Sequence, residues 1–570
     1  MSTTAGSSSR PRLELATAVL ASVCVALAVA TFLRLWSMLG IGLELTDEAY
    51  YLLGAQHPES IRLFFTAAHW VTGPLWNATG SLYSFRASGL LLVALSGVML
   101  AWGALRLAPH ANIEVPARRL GQWAVMAAGA SGALLFGSLL SFTPSYNLMA
   151  TVFVGIGMGI GMLSIASEGR KQGFLEAAAG IVFGLTVLCK FSAGIGMIGL
   201  LVVLQVVFLW RRPARLWGPL IVIVFAVLTV LLIAALNTGL QEGWRQFRAG
   251  LDVIWVAQGD KGIVPRLVRS AGDMGGLFAA AALTFWAPMI CFAVAMFWRP
   301  LLAGSLGAAW FAVALWLGGH GSAGMARYMV QPLPWAAFLC VAVLCVATRW
   351  VRNPRAVLLA LTLAVMPVAA ALGTSNPLQV QILGTMAPWG VLLALAGFNW
   401  SRDALPAAVA SVLFAALVLA QVIGNGAAPY RMLPHAQQTQ DVAIDGLGTV
   451  KVDAQTATMV RDLQAATRQC AIAPGAPFLD FYNLPGVGVI VGGVPIETPW
   501  LLHTTYAQAA LKGADPAVLR RAVVAVGLNA AGQRPAPPAQ LANFPQGWRL
   551  CGKTTSPLEK LPVELWAPGP

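Results

Sequence analysis

The chain has 570 residues, of which 58% are hydrophobic and 10% charged. So few charges exclude an ordinary soluble protein of this length, which would carry about a quarter of its residues as Asp, Glu, Lys and Arg. The net charge of +14 is not gathered into one basic face. It is split into short Arg and Lys groups between apolar runs, which excludes a nucleic-acid partner and points to a lipid bilayer.

Taken in chain order, the first apolar run covers 13–34 and a long polar loop covers 35–85. Runs near the length of a bilayer span then recur at 86–105, 120–140, 147–167, 174–190, 193–209, 217–237, 274–297, 301–318, 332–348, 356–373, 381–398 and 404–424. Together they predict about thirteen transmembrane helices. The clusters Arg10/Arg12, Arg106/Arg118/Arg119, Arg170/Lys171, Arg211/Arg212/Arg215, Arg299, Arg349/Arg352/Arg355 and Arg402 fall on every second loop. Positive charge stays in the cytoplasm. The N-terminus is therefore expected inside, and loop 35–85 and the region after 424 outside. Ala28-Val29-Ala30 has the small-residue pattern of a cleavage site, but apolar character continues to Leu39, so the first helix is expected to be retained.

Two regions follow: a membrane domain at 1–424 and a soluble domain at 425–570. Within loop 35–85, the apolar piece Ile61–Ala68 is expected to lie as a helix along the membrane surface. The soluble domain alternates strand and helix patterns. Strands are expected at Val450–Val452, Phe478–Tyr482 and Ala522–Val526. Helices are expected over Ala454–Arg468, capped by Asp453, and from Asp515-Pro516 to Arg521. The fold class is thus a polytopic helical membrane protein with an extracytoplasmic α/β domain. Of the seven cysteines, Cys470 and Cys551 alone lie in the soluble region. On the oxidising side they are expected to pair, the alternative being two separate buried thiols.

The residues that carry chemistry begin at Leu45-Thr46-Asp47-Glu48-Ala49-Tyr50-Tyr51. An acidic pair at the mouth of a helical bundle is costly to bury and is a functional candidate. Asp47-Glu48-Ala49-Tyr50-Tyr51, Gly73-Pro74-Leu75-Trp76 and Phe85-Arg86-Ala87-Ser88-Gly89 together resemble the first external loop of membrane glycosyltransferases of the GT-C fold. The branch most similar contains the protein O-mannosyltransferases and the aminoarabinose transferases of lipid A. Lys190-Phe191 resembles that family's lysine at an external helix end, and Arg327-Tyr328 with Pro332-Leu333-Pro334 its late arginine-and-proline element. The strong part of the resemblance covers about 60 residues. Where aminoarabinose transferases carry Glu-Lys-Pro, this chain has His69-Trp70-Val71-Thr72-Gly73-Pro74.

The resemblance implies a bacterial inner-membrane enzyme that takes a sugar from a polyprenyl-phosphate donor to an extracytoplasmic acceptor: lipid A, a surface glycan or a protein. Such a transfer needs a carboxylate to take the acceptor proton and cations, or a metal, to stabilise the departing phosphate. Asp47 is the expected base, with Glu48 supporting it. Arg327, Lys190 and Arg62 are the expected phosphate contacts, arginine being suited by its planar fork of donors. His69, Tyr50, Tyr328 and Asn376 are expected at the acceptor or sugar pocket. No residue set has metal-ligand spacing, and a divalent cation stays open. The competing reading is a multi-pass transporter or flippase of lipid-linked sugars. It predicts ionisable residues in mid-span and broken helices, whereas the charges here crowd into loops.

Overall fold

The computed structural model describes residues 9–116, 118–138, 141–210, 217–258, 263–297, 335–340, 342–343, 350–372, 378–398, 405–427, 429–557 and 560–569. Among them, nine helices are long and apolar enough to cross a membrane. In chain order the helices are α1 (Ser9–Trp36), α2 (Asp47–Gln56), α3 (His69–Thr79), α4 (Leu82–Leu107), α5 (Arg119–Leu134), α6 (Tyr146–Ile165) and α7 (Gly169–Cys189). They continue with α8 (Phe191–Leu209), α9 (Gly218–Asn237), α10 (Leu240–Gln258), α11 (Ile263–Phe297), α12 (Pro354–Ala371), α13 (Ala387–Gly397) and α14 (Leu405–Ala427). The span expected at 301–318, and most of that at 332–348, lies outside the described residues.

The expected span 381–398 is shorter in the structure. A tight turn at Ile382–Thr385 precedes α13, and every residue of α13 is buried. It is a core helix surrounded by protein, which apolar composition alone does not distinguish from a span. The stretch between the expected spans 217–237 and 274–297 carries α10 and the start of α11, and α11 breaks at Phe285 (φ −114°, ψ 18°).

The centre of the bundle is α4, packed on α5 and α6. Glycines set this packing. A Cβ at Gly97 would overlap the Gly129 carbonyl, and one at Gly103 the Gly159 carbonyl. Small residues let helix backbones approach closely, which replaces the hydrophobic driving force that lipid cannot supply.

One end of the bundle carries, among the described residues, Arg106, Arg118, Arg119, Arg352 and Arg355. There Arg118 pairs with Glu14, and Asn353 bonds the Ala111 carbonyl while capping α12. The opposite end carries loop 35–85 and the soluble domain. This domain has a hairpin of β1 (Gln440–Ile444) and β2 (Gly448–Val452), then α15 (Ala454–Gln469), whose first turn is capped by the Asp453 carboxylate. Its five-stranded sheet contains β3 (Pro477–Phe481), β4 (Val494–Pro495), β5 (Val523–Gly527), β6 (Trp548–Thr555) and β7 (Pro562–Pro568) in the order β4-β3-β5-β7-β6. The first three are parallel, and β7 and β6 add antiparallel. Cys470 and Cys551 form a disulfide, with Cα atoms 5.6 Å apart, that joins the end of α15 to β6.

Loop 35–85 and the soluble domain share one core. Leu43, Leu52, Leu53, Trp76 and Phe85 pack with Val450, Val460 and Val487. Backbone bonds stitch the two: Gly42 N to Lys451 O at 2.7 Å, Leu82 N to Leu447 O at 3.0 Å and Gly486 N to Leu45 O at 2.9 Å. The surface helix expected at Ile61–Ala68 is absent. The segment runs irregularly, Ile61 bridges Glu497, and the Phe64 backbone presses on Gly250 of α10. Its apolar side chains face protein, so nothing selects a helix with one lipid-facing stripe.

Candidate functional site

The site is built on the N-terminus of α2. The first amides of a helix lack partners within it. Here the Glu44 carboxylate supplies them, accepting from Thr46 N at 2.9 Å and Glu48 N at 2.7 Å, while Glu48 Oε2 accepts from Glu44 N at 3.0 Å. Thr46 Oγ1 also donates to Glu44. The pattern resembles a reciprocal capping box, with a glutamate in place of the usual hydroxyl.

Glu48 is 3% exposed and fully engaged. Arg86, in the first turns of α4, donates from Nε to Oε1 at 2.8 Å and from Nη2 to Oε2 at 2.6 Å, and the Thr143 hydroxyl donates to Oε1. Arg86 also holds the carbonyls of Leu39, Ile41 and Gly42. Burial would raise the Glu48 pKa. The guanidinium and its hydrogen bonds outweigh burial and hold the carboxyl below its ordinary value. Glu48 thereby locks the loop to α4. Glu44 has no such cation, and burial pushes its pKa up to about 7.

Asp47, adjacent to Glu48, lines a cleft of ≈ 60 Å³ together with Glu44, Glu48 and Arg86. Its floor is made by Tyr51, Ser145 and Thr143, and its far wall by Tyr430 and His435 from the segment after α14. The Asp47 carboxylate is 26% exposed and lies 3.6 Å from Arg431 Nη1. Tyr430 hydrogen-bonds it. Arg431 also donates to Thr46 Oγ1 at 2.6 Å. Its backbone sits in the left-handed region (φ 51°), a conformation that costs a non-glycine residue about a kcal/mol or more and marks sites where geometry is over-determined.

A second cleft adjoins the first, sharing Tyr51 and Ser145. It brings together Tyr50, Tyr146 and His69, and Pro499 of the soluble domain closes it. Trp500 packs on Tyr50 with ring centres 5.8 Å apart.

Of the expected phosphate contacts that are described, neither Arg62 nor Lys190 lines either cleft. Arg62 is on the rim, 65% exposed and 4.0 Å from Glu497. Lys190 is buried at the α7–α8 junction, its Nζ 3.4 Å from the Ala371 carbonyl, and lines neither cleft. Arg327, Tyr328 and Asn376 lie outside the described residues. The sequence reading missed Tyr430, Arg431 and His435, which lie hundreds of positions beyond Asp47. The available signal was their place: the first aromatic and cationic residues after the last span. Among the described residues, no group of three or more His, Cys, Asp or Glu could hold a metal ion, and no step below runs through one.

Comparison with protein-family models found no match. Comparison with curated proteins found none either.

Proposed function

We propose that this chain is an integral-membrane glycosyltransferase that moves a sugar from a polyprenyl-phosphate donor to an acceptor on the outer face of a bacterial inner membrane. Asp47 carries the reading. It is a carboxylate open to a cleft at the mouth of the bundle, beside a cation, with both neighbouring glutamates committed to holding its helix. In the reaction, Asp47 takes the proton of the acceptor nucleophile. The acceptor's electron pair forms the new bond to the anomeric carbon, and the bond from that carbon to the donor phosphate oxygen breaks. The phosphate leaves with the electron pair and a negative charge. Arg431, 3.6 Å from Asp47, is placed to neutralise that charge by a planar set of donors.

Among the described residues, the orientation is supported by Arg118, which pairs with Glu14, and by Arg352 and Arg355, which flank the Asn353 that bonds Ala111, at the end opposite the clefts. A transporter finds less support. Within the nine described spans, the Asp, Glu, Lys and Arg side chains lie near the ends, Glu176 being the deepest.

The test is transfer of labelled sugar from a polyprenyl-phosphate donor to membrane acceptors. Asp47→Asn should reduce it by at least about 10³-fold while leaving the melting temperature within a few degrees. Transfer near the wild-type rate would remove Asp47 from the mechanism.

A further inference from the structure

The segment Ile61–Ala68, expected to lie on the membrane surface, is covered by another helix. A Cβ at Gly250 of α10 would overlap the Phe64 carbonyl, and one at Gly243 would touch the Trp70 ring. α10 has 19 residues and is not among the helices long and apolar enough to cross a membrane. From Leu240 to Val253 its side chains fall into three stripes, each with the three- and four-residue spacing of one helix face.

The first stripe is Gly243, Gln246, Gly250 and Val253, all buried. It faces protein: Val253 shares a core with Leu501 and Tyr506 of the soluble domain, and Leu63 packs against the same core. The second stripe is Leu240, Trp244, Phe247 and Leu251. Leu240 is 50% and Trp244 62% exposed, and Phe247 and Leu251 are half-buried. The third is Gln241, Arg245, Arg248 and Asp252, all exposed. At 100° per residue the centres of the stripes lie about 100–150° apart around the axis.

Three faces call for three surroundings. Protein covers the first. Water suits the third, whose charged groups would lose their hydration in hydrocarbon. The second is bulky, apolar and largely uncovered among the described residues, and leaving it in water costs about 25 cal/mol for each Å².

Two observations name what covers it. The first is continuity with a span. α9 exposes Leu228, Leu232 and Leu236 along one side, a column that lipid bathes to its end. Gly239 (φ 79°) then turns the chain, and Gly243 comes back against Ala234 of α9, where an added Cβ would lie 3.9 Å from the Ala234 Cβ. The second stripe therefore starts at the level where α9 leaves the hydrocarbon. The second observation is charge. Glu242 and Asp252 balance Arg245 and Arg248, and Arg245 bonds Glu242 at 2.6 Å. A balanced strip is not drawn to an anionic surface, whereas the amphipathic ring of tryptophan settles at head-group level.

We propose that α10 docks on the bilayer as an interfacial helix. Its second stripe lies among the head groups and upper acyl chains of zwitterionic phospholipid, in the leaflet on the side of α2, and its third stripe faces water. Loop 35–85 and the soluble domain thereby rest on lipid through one helix. The proposal does not depend on the transferase reading.

The experiment is photolabelling of the full-length protein in phosphatidylcholine nanodiscs. The probe is a phosphatidylcholine with a trifluoromethyl-phenyldiazirine on one acyl chain, and mass spectrometry maps its adducts by residue. Leu236 of α9 is the internal reference. Leu240, Trp244 and Leu251 should be labelled to within a few-fold of Leu236, and Gln241, Arg248 and Asp252 about 10-fold less. Adding phosphatidylglycerol should leave the pattern unchanged. In Leu240→Gln/Trp244→Gln, labelling at Leu251 should fall about 5-fold or more while Leu236 stays labelled. Both side chains are exposed, so the melting temperature in detergent should move by no more than a few degrees. Labelling of Leu236 without the second stripe would assign that face to a protein partner, a second copy included, and overturn the proposal. So would equal labelling of the second and third stripes, labelling of the second stripe only with phosphatidylglycerol, or undiminished labelling at Leu251 in the double variant.

Discussion

Glu48 and Arg86 form a buried ion pair with two direct contacts, Nε to Oε1 at 2.8 Å and Nη2 to Oε2 at 2.6 Å, and this pair ties the start of α2 to α4. Side chains of neighbouring helical residues point about 100° apart. With Glu48 held against α4, Asp47 is turned toward Tyr430 and Arg431. The same short acidic motif thus divides into one anchoring carboxylate and one that we propose as the base.

The pair is expected to resist repair. Glu48→Gln should cost about 3–5 kcal/mol, because Arg86 keeps a buried charge without its partner. In many proteins, replacing both partners with apolar residues recovers that loss. Here Arg86 also satisfies three backbone carbonyls, so Glu48→Gln/Arg86→Met should recover less than half of it. Melting temperatures of the single and double variants decide the matter, and full recovery would reduce Arg86 to a simple counter-ion.

Arg431→Ala should lower turnover on the order of 10²–10³-fold, as when a donor to a developing oxyanion is removed. Arg431→Lys should restore part of this, because lysine keeps the charge and loses the planar fork. The side chain is 37% exposed, so neither variant should move the melting temperature by more than a few degrees. Turnover and melting measured on the same preparations separate a phosphate contact from a structural one, and unchanged turnover in Arg431→Ala would shift the role to Arg327.

Stability should fall as pH rises from about 5 to 8. Asp480 sits at the end of β3, accepting from Leu484 N at 2.6 Å and Leu501 N at 3.0 Å, and burial pushes its pKa from 3.8 up to about 7. A folded pKa above the unfolded one means that the native state binds the proton more tightly. The stability linked to that proton is present below pH 3.8 and lost through pH 7, an effect of about 4 kcal/mol at most. Glu44, raised to about 7 by burial, adds in the same direction. Glu48 acts oppositely: its carboxyl is held below 4.5, so its contribution is lost only on acidification below that value. Thermal melts at unit steps of pH should therefore decline toward pH 8, and Asp480→Ala, though less stable, should show about half the slope. A flat profile in the wild-type protein would contradict the assignment.

The Cys470–Cys551 disulfide closes a loop 81 residues long in sequence. In the chain-entropy account this contributes roughly 4–5 kcal/mol. Cys551→Ala should therefore destabilise the soluble domain well before it affects the spans. Limited proteolysis under reducing and non-reducing conditions will show it as early cleavage after residue 429, and equal resistance in both conditions would count against it.

The parts of this protein that were legible in the sequence are those set by local chemistry. Apolar runs gave the spans through α9, Asp453 marked its helix start, and two cysteines in one domain gave the disulfide. The parts that were not legible depend on distance. The Arg431–Thr46 bond joins residues 385 positions apart, and no local pattern announces it. β6 was missed because its alternation is broken by a register shift at Leu550/Gly552, and β7 because it is buried continuously from Val563 to Ala567 and shows no alternation. Ile61–Ala68 read as a surface helix because composition does not reveal that the soluble domain and α10 bury it.

The wall of the first cleft has a consequence for how the protein is made. Asp47 leaves the ribosome early, and the side chains that face it, Tyr430 and Arg431, are the first to follow the last span. Every described membrane helix is synthesised before the cleft has its second side. On the proposed function, a newly inserted chain stays inactive until its final segment has been delivered to the same side as α2, and assembly of the site is postponed to the closing moments of translation.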